Sequence, residues 1–178
     1  MLSLRISKLH WIRGGADDPL DQCAHGQFEL RAEGVLFVDP SSGPWNLTMS
    51  GLYLLRTLDA DHSPEHSVAE GNFLIPCCGH SPWLIGEGEY RLVCGGCNSG
   101  IDFEVVHSGD TVRLSSSARS AVVSLAAWRA AVLEFVSKVE RFYARCTPKV
   151  EPGEEQLDRP GWAAFWQEWE ARKVANAA

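Results

Sequence analysis

The stretch "SLAAWRAAVLEFVSKVERFY", residues 124–143, decides the fold. From Leu125 onward, Trp128, Val132, Phe135, Val139 and Phe142 recur at spacings of three and four, while Arg129, Glu134, Lys138, Glu140 and Arg141 fall between them. That period gives an amphipathic helix of about five turns with one apolar face. Ser124 is placed to cap its start, Glu134 and Lys138 stand at the favourable i,i+4 separation, and Pro148 ends it. An aromatic stripe of this kind reads as core packing, and the expected cover is a sheet.

The segments before the helix supply that sheet. In "LSLRISKL" Leu2, Leu4 and Ile6 alternate with Ser3, Arg5 and Ser7, the pattern of a half-buried strand. "FELRAEGVLFV" reads as two strands turning near Gly34, and "DPSSGP" is turn chemistry. Leu52, Leu55 and Leu58 then recur at three-residue steps, which predicts a shorter helix over residues 51–59 with Ser50 as its cap. "NFLIP", "PWLI", "EYRLVC", "IDFEVVH" and "DTVRLS" read as a meander of short antiparallel strands. Beyond the long helix, residues 147–160 have the proline and glycine content of a linker. It leads to a C-terminal docking helix over 161–175 with Trp162, Phe165, Trp166 and Trp169 on one face. The expected architecture is α+β and a single domain over 1–178: an antiparallel sheet, one long helix packed on it, a shorter helix and an aromatic C-terminal helix.

Composition bounds function. The 178 residues are 45% hydrophobic and 22% charged, as in ordinary globular proteins, with no apolar run long enough to span a bilayer and no signal-peptide pattern. A cytoplasmic location follows as the expectation. The net charge of -7 argues against a nucleic-acid partner, because such binding relies on Lys and Arg neutralising phosphates. Acidic residues gather at Asp17, Asp18 and Asp21, at Asp59, Asp61 and Glu65, and at Glu151, Glu154, Glu155 and Asp158. They read first as solvated loops and secondarily as a docking face for a basic partner. Six cysteines are too few for a disulfide scaffold, and Cys23 and Cys146 are most simply small core residues.

Two constellations could carry chemistry. Cys77, His80, Cys94 and Cys97 form C-x2-H and C-x2-C separated by "SPWLIGEGEYRLV", a hairpin bending at Gly86 and Gly88. Two-residue gaps let tight turns aim their flanking side chains at one point, the pattern of a closed structural zinc site, with Cys78 a substitute ligand beside Cys77. Metal-free packed thiols and a disulfide or redox pair are the alternatives; "CGGC" has redox spacing, but "NSGIDF" does not continue as a helix. The second set is Asp61, His62, His66, Asp102 and His107, in which a His–Asp pair could activate Cys97 or Cys78 as a nucleophile. His107, alternating with Val105 and Phe103, reads better as a structural histidine, and His62 as a surface or capping residue. Cys23 and His25 in "QCAHGQ" lack a partner of known geometry.

Taken together, "LHWIRG", "DQCAHG", "SGLYLLRTLDADH", "LIPCCGH", "CNSGIDFEVVH", "FYARCTPK" and "GWAAFWQEWEAR" resemble a group of small bacterial cytosolic proteins of unassigned activity, some associated with toxin-immunity loci. The resemblance brings no catalytic residues. It implies a protein that binds and neutralises a toxin domain through a surface patch, and charge makes a basic toxin domain the expected partner. A Cys/His-dependent enzyme built on residues 77–107 is the alternative, and a zinc-ribbon adaptor the third reading, disfavoured by charge.

Overall fold

The computed structural model describes residues 1–12, 16–87, 89–117, 119–150 and 159–177. It is α+β with antiparallel sheets. Strands β1 (Ser3–Trp11), β2 (Ala24–Ala32) and β3 (Val35–Val38) pair in that order, and the short β4 (Trp45–Asn46) pairs with the beginning of β2. Leu4 lies opposite Leu30 and Ile6 opposite Phe28, so the apolar positions read from alternation share one face. Between β2 and β3, Glu33 and Gly34 have φ of 49° and 82°, the mirror-image turn whose twist suits a tight hairpin.

Helix α1 (Leu47–Arg56) begins four residues before the expected 51–59. Asn46, not Ser50, is its cap: the Asn46 side chain accepts from the Met49 amide at 3.0 Å, while Ser50 Oγ donates back to the Asn46 carbonyl at 2.7 Å. Every residue from Leu47 to Leu55 is buried, so this helix is apolar all round and runs through the core.

The expected meander is instead three separate sheets. Strands β5 (Ile75–Pro76), β6 (Ser81–Ile85), β7 (Arg91–Gly95) and β8 (Gly100–Ile101) make two small ribbons, β5 with β8 and β6 with β7. The remaining strands, β9 (Glu104–Ser108), β10 (Thr111–Ser116) and β11 (Arg119–Ser124), form a third. β11 was not expected from its serine-rich approach, yet Ala121 and Val123 alternate inward as a strand requires.

Helix α2 (Leu125–Tyr143) is the helix read from the opening stretch, and Ser124 caps it through the Ala127 amide at 3.1 Å. Trp128, Val132, Phe135, Val136 and Val139 are buried against β1 and β2 on one side and β10 and β11 on the other. Each such side chain contributes about 1.5–3 kcal/mol by leaving water. Phe135 meets Phe28 edge-on, with centroids 5.5 Å apart.

Helix α3 (Arg159–Asn176) docks on β6 and α1 with Trp162, Phe165 and Trp169 buried. Gly51 makes room for it: a Cβ there would lie 2.3 Å from Trp169 Cη2. Arg56 of α1 holds α3 through a two-pronged bond to Glu168, at 2.8 and 3.0 Å. Residues 147–150, expected as linker, are strapped down: Lys149 Nζ reaches Asp17 at 2.9 Å and sits 3.4 Å over the Trp11 ring, and the Val150 amide donates to Pro19. The rest of that stretch, 151–158, lies outside the described residues, as do Glu151, Glu154, Glu155 and Asp158. Among the described residues no helix is long and apolar enough to cross a membrane.

Candidate functional site

The two cysteine turns lie side by side. β5 leads into Cys77–His80, the β6–β7 hairpin follows, and the turn Cys94–Cys97 returns the chain to β8. The Cys77 amide donates to the Ser99 carbonyl at 2.9 Å. The turns are so close that a Cβ at position 96 would stand 2.3 Å from the Gly79 carbonyl oxygen, which leaves glycine as the residue that fits at Gly96.

Side chains divide the expected ligand set. The Cys77 thiol contacts those of Cys97 and Cys78, and burial together with these neighbours pushes it up to about 12. Cys78 and Cys97 are exposed. Cys94, by contrast, is 0% exposed because it alternates with Leu92 on the inward side of β7, where the Tyr53 hydroxyl donates to its carbonyl at 2.9 Å. His80 is 6% exposed, and its Nδ1–H donates to the Cys78 carbonyl at 3.3 Å. The structure thus gathers Cys77, Cys78 and Cys97 and turns Cys94 and His80 inward. Among the described residues no group of three or more His, Cys, Asp or Glu is placed to hold a metal ion.

The second constellation resolves into two separate His–Asp pairs along β9. His62 is 0% exposed and bridges Val105 through backbone hydrogen bonds of 2.8 and 2.9 Å, so it is a core residue rather than a surface one. The Val68 amide donates to its Nδ1 at 3.2 Å, which puts the ring proton on Nε2; this donates to Asp102 Oδ1 at 2.9 Å. The same oxygen accepts from the Leu74 amide at 3.1 Å. His107 donates both its amide and its Nδ1–H to Asp61 Oδ1, each at 2.8 Å, and these bonds hold the Asp61 carboxyl below its usual range. Both carboxylates are thereby committed to positioning backbone. His66 and Glu65 line a cleft of about 520 Å³ with Asp61, Glu104 and Arg113.

The thiols match this structural use. Burial pushes Cys23 up to about 12 and Cys94 well above the ordinary thiol range, so both are protonated and poor nucleophiles at neutral pH. Cys23 is in the core as expected, whereas Cys146 is only half-buried. The acidic loops are also engaged: Asp17 takes Lys149 and the Thr147 amide, Asp21 takes the Ile12 amide at 2.7 Å, and Asp59 takes Arg172 at 2.7 Å. These carboxylates order the loops they stand in.

One feature of the hairpin escaped the sequence reading. Pro82, Leu84, Leu92 and Cys94 face inward, while Trp83, Ile85 and Val93 face out, with Trp83 directly opposite Val93. Arg91 stands opposite Ile85 on this side and the exposed Glu87 and Glu89 at the turn, whereas Tyr90, 67% exposed, lines a cleft with Arg56, Glu70 and Leu92. The signal was present in the alternation of "PWLI", but an alternating strand does not say which of its two faces will be covered. No known protein family, characterised protein or solved structure matches the chain.

Proposed function

We propose that this is a non-catalytic cytoplasmic binding protein of the immunity type, which neutralises a basic toxin domain. The observation that carries this reading is the outer face of the β6–β7 hairpin: Trp83, Ile85 and Val93, with Glu87 and Glu89 at its turn. Large aromatic side chains on a backbone-paired ribbon are what interface hot spots use, and the acidic turn with the net charge of -7 selects a basic partner and speeds encounter. A standard interface covers about 800 Å² per partner, so this face would be the centre of the contact. Free thiols at Cys78 and Cys97 suit a reducing compartment.

Structural zinc at the base of the hairpin belongs to the same proposal. The proposed ligands are Cys77, His80, Cys94 and Cys97, with Cys78 able to take the place of Cys77; Cys94 and His80, which face inward, would turn toward Cys77 and Cys97 when the ion binds. The competing Cys/His enzyme has less support, since the histidines and carboxylates it needs are engaged in two structural pairs. Co-expression with the product of the neighbouring gene tests the main reading: a stable complex and restored growth are expected, and the absence of both would overturn it.

A further inference from the structure

We propose that His10 and His25 form a two-histidine binding site for a borderline divalent metal ion such as Zn2+. The two residues are partners across β1 and β2, with ring centroids 6.2 Å apart and planes 39° from one another. Their juxtaposition is made by a β-bulge. The register slips between Ser7 and His10, so that His10 rather than Leu9 faces His25, and Lys8 inside the bulge takes a left-handed φ of 52°. Bulges redirect a side chain in this way.

Both rings are held alike. His10 Nδ1–H donates to the Lys8 carbonyl at 2.8 Å and His25 Nδ1–H to the Cys23 carbonyl at 2.9 Å. A carbonyl can only accept, so each Nδ1 carries a proton, and in the neutral ring the lone pair left for a metal is on Nε2. Imidazoles that ligate metals are fixed in this manner, the second nitrogen bonded to a carbonyl or carboxylate. His25 is 4% exposed and its Nε2 is buried with no partner among the described residues. A buried polar atom without a partner is rare enough to require an occupant.

The surroundings agree. Burial lowers the pKa of His25, so the ring is neutral and able to ligate. Asn46 lies opposite His25 on β4, with its buried side chain against the Cys23 thiol. His80 is brought close by the Cys23 thiol, which donates to its carbonyl at 3.8 Å. Since no three such groups are assembled among the described residues, the chain supplies two nitrogens and water completes the coordination. The rival occupant is a single water donating to His25 Nε2.

The test is a Zn2+ titration of the metal-stripped full chain carrying Cys77→Ser and Cys97→Ser, which removes two of the thiols at the hairpin base, read by imidazole nitrogen NMR. The His10 and His25 Nε2 signals are expected to move together and saturate at one equivalent, and His10→Ala to weaken binding more than about tenfold. Should the double variant fail to fold, the same two imidazoles are followed in the unmodified chain. A His25 Nε2 signal unmoved by Zn2+, or an affinity unchanged in His10→Ala, overturns the site and leaves the single water.

Discussion

His62 Nε2 donates to Asp102 Oδ1 at 2.9 Å, and that single oxygen also receives the Leu74 amide, so one carboxylate ties the loop after α1 to the strand leading into the cysteine turns. Replacing His62 by Ala leaves a cavity in the core and the Val68 amide without its acceptor. A loss of about 2–3 kcal/mol is expected in urea denaturation, with the slope unchanged. Asp102→Asn keeps an oxygen acceptor and should cost less than His62→Ala.

Glu168 links α3 to Arg56 on α1 and also takes Arg172 one turn along its own helix. Burial raises its carboxyl pKa, but the hydrogen bonds and charge of Arg56, with Arg172, outweigh this and hold it below the ordinary value. A carboxylate depressed on folding stabilises above its unfolded pKa, about 4.5, and that stability fades as pH falls through the lower folded value. Glu168→Gln should therefore lose about 2–3 kcal/mol at pH 7. This lies under the cost of a fully buried pair because Arg56 and Glu168 are 11% and 23% exposed. The gap between the two proteins should close below about pH 4.5 when urea midpoints are compared.

Gly51→Ala places a methyl against the Trp169 ring. Overpacking of this kind costs about 1–3 kcal/mol. The displaced indole would also lose its 2.9 Å bond to Glu140, which a change in the near-ultraviolet circular dichroism would report.

The thiols should react in order of exposure. Cys78 and Cys97 are expected to titrate at once in the native protein without metal, whereas Cys23 and Cys94 should do so only on unfolding, when all six become available. One equivalent of zinc in protein purified without added metal, with Cys97 protected until a chelator is added, is the result expected of the zinc proposal. Its loss in Cys97→Ser with the His10 and His25 signals unchanged would separate that site from the histidine pair.

Periodicity made the long helix, the β1–β3 hairpin pattern and the C-terminal helix legible, since each buries one regular face. The start of α1 was misread because its apolar residues run all round the helix, which leaves no stripe to locate, and Asn46 gave the capping signal more cheaply than Ser50. The cysteine turns were found by spacing, but spacing does not record that strand alternation turns Cys94 inward beside Leu92. His62 was misplaced because a histidine with both nitrogens satisfied can be buried, and its partners Val68 and Asp102 are six and forty residues away. The pairing of His10 with His25 depends on a one-residue bulge, which leaves no trace in hydrophobic pattern.

The central claim is that the outer face of the hairpin binds a basic protein partner. Calorimetry of the partner recovered by co-expression, against the wild-type protein and against Trp83→Asp, tests it most directly. Trp83 is 38% exposed and its ring lies over Gly95, so the variant's melting behaviour is compared first, and in the folded variant the affinity should fall at least about 30-fold, the equivalent of a hot spot of about 2 kcal/mol. An unchanged Kd in a folded Trp83→Asp protein would contradict the account.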